Sequence, residues 1–94
     1  MWQRDMTKRV YGITLDDFCK IWANQDGKCA NPLCNSILEY GKRGVHVDHD
    51  HETGKVRGLL CAQCNVALGQ LEENANRMIG LATYILQHKD GCYD

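Results

Sequence analysis

The sequence predicts a small α+β domain that a bound metal, as much as a hydrophobic core, holds together. Three features of the chain point to it. A chain of 94 residues makes one domain and buries only roughly 60–65% of the surface its unfolded form exposes, so a core alone is marginal. Four of its six cysteines fall in two short-spaced pairs, Cys29 with Cys34 and Cys61 with Cys64. Between the pairs lie two strand-like runs, and on either side of them apolar residues recur at helical spacing.

Residues 1–12 form a basic arm, with Arg4, Lys8 and Arg9 against Asp5, ending in the turn-like Tyr11-Gly12. Residues 13–28 hold the first helix. Thr14 is its expected N-cap, with Asp17 three residues on in a capping-box-like arrangement. Leu15, Phe18, Cys19 and Trp22 share one face, and Asp26-Gly27 ends the helix. Residues 29–71 carry the cysteine pairs and the two strands between them. Val45 to His49 alternates as a strand, His51-Glu52-Thr53-Gly54 turns, and Lys55 to Leu60 returns. Helical sequence resumes near Cys61. A last helix occupies 74–89, with Asn74 as N-cap and Met78, Ile79, Ala82, Ile85 and Leu86 on its apolar face. That face either packs on its own domain or serves as the surface of a homodimer; Trp22 belongs to the core.

The cysteine pairs are a C-x4-C and a C-x2-C knuckle separated by 26 residues. Zinc takes four thiolates in a tetrahedron, and two knuckles supply two sulfurs each. Four cysteines leave no open position on the ion, so it is structural, adding folding free energy that a small core lacks. Two disulfides, or four buried thiols, would also use four cysteines. Without an apolar leader after Met1, the compartment is expected to be cytoplasmic and reducing, which favours metal. Cys19 reads as a core residue, and Cys92 takes no role.

Between the knuckles runs Val47-Asp48-His49-Asp50-His51-Glu52. Aspartate is a poor strand former, so this density of acids and imidazoles is hard to explain as a solvated strand. Carboxylate oxygens suit Mg2+ or Mn2+, and an imidazole suits a general base. Adjacent strand residues face opposite ways. For Asp48 and His49 to act on one phosphodiester, the strand must therefore end, twist or bulge between them. Asn65, just after Cys64, would project from the start of the following helix back towards the strands. Asp50 and Glu52 either tune the site or face water.

These residues carry a resemblance. Tyr11-Gly12-Ile13-Thr14, Cys29 and Cys34, His46-Val47-Asp48-His49-Asp50-His51, Gly54-Lys55-Val56-Arg57-Gly58-Leu59-Leu60-Cys61 and Cys64-Asn65 closely resemble the recombination endonuclease VII family. That family belongs to the HNH, or His-Me finger, nucleases. The resemblance implies a ββα-metal core with flanking N- and C-terminal helices, cutting DNA. It implies that Asp48 and Asn65 hold one catalytic Mg2+, that His49 activates water, and that His51 is a secondary active-site residue. Cys29, Cys34, Cys61 and Cys64 take the structural zinc. It also implies a phage-encoded enzyme acting in a host cytoplasm. The chain departs from the family at the first knuckle, where two intervening residues are common, and at Leu68, where the pattern can carry an acid. It also stops short of the longer C-terminal region that builds the family's intertwined dimer.

Eleven basic against twelve acidic residues give a formal charge of −1, and four thiolates with one Zn2+ take it to −1 − 4 + 2 = −3. Bulk positive field is thereby excluded as the means of holding DNA. Contact must be local, through the metal and through Lys42, Arg43, Lys55 and Arg57, which either touch phosphates or are plain solvated surface. No apolar run is long enough to span a membrane. The rival class is a non-catalytic zinc-stabilised module that binds DNA or a protein. It explains the cysteines but has no use for Asp48 beside a phosphate.

Overall fold

The structure is a computed structural model and describes residues 6–88. Trp2, Arg4, Asp5 and Cys92 lie outside the described residues. In chain order the elements are β1 (Arg9–Val10), β2 (Ile13–Thr14), α1 (Leu15–Asn24), β3 (Val45–His49), β4 (Val56–Cys61), α2 (Ala62–Gln70) and α3 (Ala75–Gln87). The strands make two separate antiparallel pairs, β1 with β2 and β3 with β4. The fold is thus α+β, with two small sheets and three helices.

The expected extended arm is a hairpin from Arg9 onward. Arg9 pairs with Thr14 and Val10 with Ile13. Tyr11 and Gly12 both take positive φ, which matches the twist of a two-residue hairpin turn. Tyr11 stacks on Phe18 at 5.3 Å and meets Tyr40 edge-on. Its hydroxyl accepts the Gly41 N–H at 2.7 Å and donates to Lys42 O at 3.2 Å, so the hairpin is tied to the loop before β3.

Thr14 caps α1 as its sequence predicts, its Oγ1 accepting the Asp17 N–H at 3.1 Å. The helix ends before 28, at Asn24, because Asp26 and Gly27 turn to positive φ. A Cβ on Gly27 would stand 2.7 Å from the Trp22 ring, so only glycine closes this end. Trp22 is 39% exposed and lies at the margin of the core. Its indole N–H donates to Leu38 O at 2.9 Å, which holds the ring across the end of α1 without sealing it in.

Among the described residues the buried hydrophobic ones are eight: Ile13, Phe18, Leu38, Val45, Leu59, Leu60 and the two cysteines Cys29 and Cys61. So small a core runs directly into the cysteine cluster. Gln25 stitches the junction. Its amide N–H groups donate to Lys28 O at 2.7 Å and Leu59 O at 3.0 Å, and its Oε1 accepts the Leu59 N–H at 2.9 Å. Gly58 lies against it, and a Cβ there would stand 3.1 Å from Gln25 Oε1 and 3.2 Å from Ala30 Cβ.

Asn74 caps α3, accepting the Arg77 N–H at 3.0 Å. The backbone of α3 approaches none of the other elements, and the molecule measures 66 × 28 × 20 Å. Ile79, Ile85 and Leu86 are 62%, 64% and 68% exposed. Among the described residues, therefore, nothing of its own domain covers the apolar face of this helix.

Candidate functional site

The two knuckles converge. The first runs off α1, with the Cys34 N–H donating to Asn31 O at 3.0 Å and the Cys29 N–H to Ser36 O at 2.9 Å. The Ala30 N–H reaches Leu59 O at 2.9 Å, pinning this loop to β4. The second begins at the end of β4, where Cys61 is the N-cap of α2 and Cys64 stands in its first turn. All four Sγ atoms lie within 4.8 Å of one another. Sulfurs at tetrahedral corners around zinc stand about 3.8 Å apart, and Cys34 and Cys61 are at 3.8 Å. Backbone donors already face the sulfurs, the Cys61 N–H 3.4 Å from Cys29 Sγ and the Cys64 N–H 3.5 Å from Cys61 Sγ. Hydrogen bonds from the Ser36 side chain and backbone pull the Cys34 thiol down to about 6. Four thiolates cannot ionise side by side without a cation between them. Donor type, spacing and charge all fit a metal such as zinc.

Beyond this cluster the β3–β4 hairpin carries the acid-imidazole run. Val45 pairs with Cys61, His46 with Leu60, Val47 with Leu59 and Asp48 with Gly58. The register then slips, because His49 pairs with Val56, and Arg57 is left as the extra residue. The irregularity that the sequence required falls between Asp48 and His49. A bulge bends the strand and re-aims side chains locally. Asp48 is half-buried and His49 exposed, while α2, bearing half-buried Asn65, packs on both strands.

Asp48 does not stand alone. Arg57 Nε donates to its Oδ2 at 2.7 Å and Nη2 to its Oδ1 at 3.0 Å. The same Nη2 donates to Glu73 Oε1, and Glu73 Oε2 lies 2.7 Å from His51 Nε2. Asp48 first and Glu73 second raise the Arg57 pKa. The structure thus joins Asp48 and His51 through Arg57 and Glu73. Among the described residues it shows no direct bond from His49 or Asn65 to this chain of groups. Lys42, Arg43 and Lys55 are exposed.

Asp50 faces inward on its own turn. Its Oδ1 accepts the N–H groups of Thr53 at 3.0 Å and Glu52 at 2.8 Å, and these bonds, Thr53's first, hold its carboxyl below the usual range. It shapes the hairpin tip; Glu52 is exposed there. Glu73 was invisible to the sequence pattern, since nothing in Leu71-Glu72-Glu73-Asn74 marks it from an ordinary helix linker. The only signal was its place between two helices.

Residues 4–87 match the family described as recombination endonuclease VII. The chain belongs to the recombination endonuclease VII family. Gene 59 protein of Mycobacterium phage L5 is 49% identical over 56 residues, and Gene 59 protein of Mycobacterium phage D29 is 47% identical over 56 residues. Each alignment covers 60% of this chain and 32% of the relative, so the chain matches about a third of those phage proteins. No helix among the described residues of this endonuclease VII family member is long and apolar enough to cross a membrane.

Proposed function

We propose that this chain is a metal-dependent DNA endonuclease of the HNH type, its β3–β4 hairpin and α2 forming a ββα-metal core. The register slip between Asp48 and His49 is the observation that carries this reading. It supplies the bend that two neighbouring strand residues need to serve one phosphodiester, in a chain of the endonuclease VII family.

The cysteine cluster would hold zinc and fix the position of α2 against the hairpin. Asp48 and Asn65 would hold one Mg2+ or Mn2+. Both oxygens of the Asp48 carboxylate face the guanidinium of Arg57, so a divalent ion bound there would take the guanidinium's place. When bound, the divalent ion supplies stabilisation of charge on the phosphoryl oxygens and on the leaving 3′ oxygen. His49 receives a proton from water as that water's oxygen bonds to phosphorus and the bond to the 3′ oxygen breaks. His51, held by Glu73, borders the site as its secondary residue. Lys42, Arg43 and Lys55 contact flanking phosphates through exposed side chains. A second copy of the chain covers the apolar face of α3, and the protein acts in the cytoplasm of a phage host.

The alternative, a zinc-stabilised binding module, draws support from Arg57, which neutralises Asp48 without a divalent ion. Supercoiled plasmid separates the two. Conversion to open circles with Mg2+ or Mn2+ but not with EDTA supports the nuclease. Retarded, intact DNA under both conditions overturns it.

A further inference from the structure

We propose that Glu73 is a positioning residue of the site, keeping Arg57 and His51 at the hairpin when Asp48 is given over to a cation. This rests on the nuclease reading above and goes beyond it, since Glu73 belongs to none of the residues the motif resemblance marked.

The backbone at the α2–α3 junction is the first observation. The Glu72 N–H donates to Gly69 O at 3.0 Å and the Glu73 N–H to Leu68 O at 2.9 Å, the double bond pattern that ends a helix on a left-handed residue. One left-handed residue, at Glu72, suffices for such an end, and glycine is its usual occupant. Here Glu72 has φ 55° and Glu73 has φ 56°. A second consecutive left-handed residue with a full side chain is unfavourable and persists only when its surroundings hold it.

What holds it is the second observation. With that backbone, the Glu73 carboxylate uses one oxygen on Arg57 and the other on His51. Its side chain is 23% exposed, against 40% for Arg57 and 78% for His51. The more buried group is the anchor, and the two more exposed side chains hang from it. Arg57 is the bulge residue, so the same register slip that falls between Asp48 and His49 places the guanidinium where it meets both carboxylates.

The consequence concerns competition. A divalent cation and a guanidinium cannot both take the two oxygens of Asp48. Without Glu73, displacement would release Arg57 into solvent, where its long stem costs ordering entropy to recover. With Glu73, Arg57 shifts off Asp48 yet stays beside it, with donors free to face a phosphate.

The test uses the zinc-loaded protein, Mg2+ alone as probe, and proton–nitrogen correlation spectra of the Arg57 side chain. Glu73→Asn tolerates left-handed φ but is too short to bridge both partners; Glu73→Gln leaves the length intact and removes the charge. In the wild type, Mg2+ is expected to shift the Asp48 resonances while the Arg57 Nε–H signal moves and persists. In Glu73→Asn the signal is expected to be present without Mg2+, held by Asp48, and to vanish when Mg2+ binds; Glu73→Gln weakens it in the same direction. Nicking by Glu73→Asn at saturating Mg2+ should fall about a hundredfold, with zinc content unchanged. An Arg57 signal that persists at wild-type strength in both variants with Mg2+ bound overturns the role of Glu73 and leaves the metal reading standing. Asp48 resonances unmoved by Mg2+ in the wild type overturn the metal reading, and the positioning role with it.

Discussion

Arg57 grips both carboxylate oxygens of Asp48, at 2.7 and 3.0 Å, from the one residue that the β3–β4 register leaves unpaired. A parallel two-pronged contact is the strongest form of this pair and also the most directional. It places a positive group where the proposed divalent ion must bind. Arg57→Gln should therefore raise the affinity for Mn2+ by a few-fold, measured by the electron paramagnetic resonance signal of unbound Mn2+ in a titration. Unchanged or weaker Mn2+ binding would show that Arg57 and the metal do not compete for Asp48.

The exposure of His49 at the bulge bears on a second outcome. Nothing in the core leans on it, so His49→Ala should leave zinc content and the circular dichroism spectrum intact. Loss of the group that accepts the water proton should lower nicking by about a hundred- to ten-thousandfold. Nicking at the wild-type rate would remove His49 from the mechanism.

Metal removal should behave differently. Cys29 and Cys61 are both buried and both belong to the core, so the cluster and the core fail together. Structural zinc in comparable small domains contributes about 10–16 kcal/mol of apparent binding free energy, more than a core of this size retains on its own. Cys61→Ser, or a strong chelator on the wild type, should unfold the domain, read as loss of helical circular dichroism together with loss of zinc. A folded, zinc-free Cys61→Ser protein would contradict the structural role.

Gln25 offers a test of how the knuckle is joined to the hairpin. Its side chain satisfies Lys28 O, Leu59 O and the Leu59 N–H, and Leu59 is fully buried. Leaving a buried backbone group without its partner costs about 1–3 kcal/mol. Gln25→Ala should lose about that much in denaturant unfolding of the zinc-loaded protein. Gln25→Glu should lose stability too, because a carboxylate accepts from Leu59 N–H but donates to neither carbonyl.

Local chemistry was the legible part of this chain. Thr14 and Asn74 announce helix starts because a short polar side chain satisfies the first backbone N–H groups wherever it occurs, and both do so. The knuckles are legible because spacing alone lets two thiolates reach one ion. The Asp48–His49 irregularity was legible as a geometric necessity. Gln25 and Glu73 were not, because Gln25 joins the knuckle to Leu59, 34 residues on, and Glu73 reaches Arg57, 16 residues back. Asp50 could be read two ways until its own turn claimed it. The apolar face of α3 was legible as a face, but periodicity does not say what covers it.

That face gives the last expectation. Ile79, Ile85 and Leu86 stand on a helix that no other element among the described residues approaches, and an apolar stripe of this kind is ordinarily covered. A second copy, bringing the same stripe, would cover it with twofold symmetry and set two active sites in one particle. Wild-type protein should then elute as a dimer in size-exclusion chromatography with light scattering. Ile85→Asp should yield a monomer with zinc and fold intact, since Ile85 contributes nothing to the core of its own domain. Paired cuts across a four-way DNA junction should disappear in that variant, while single nicks in plasmid persist, because only the former needs two sites at once. A monomeric wild type would remove the paired-cut expectation and leave the nicking activity untouched.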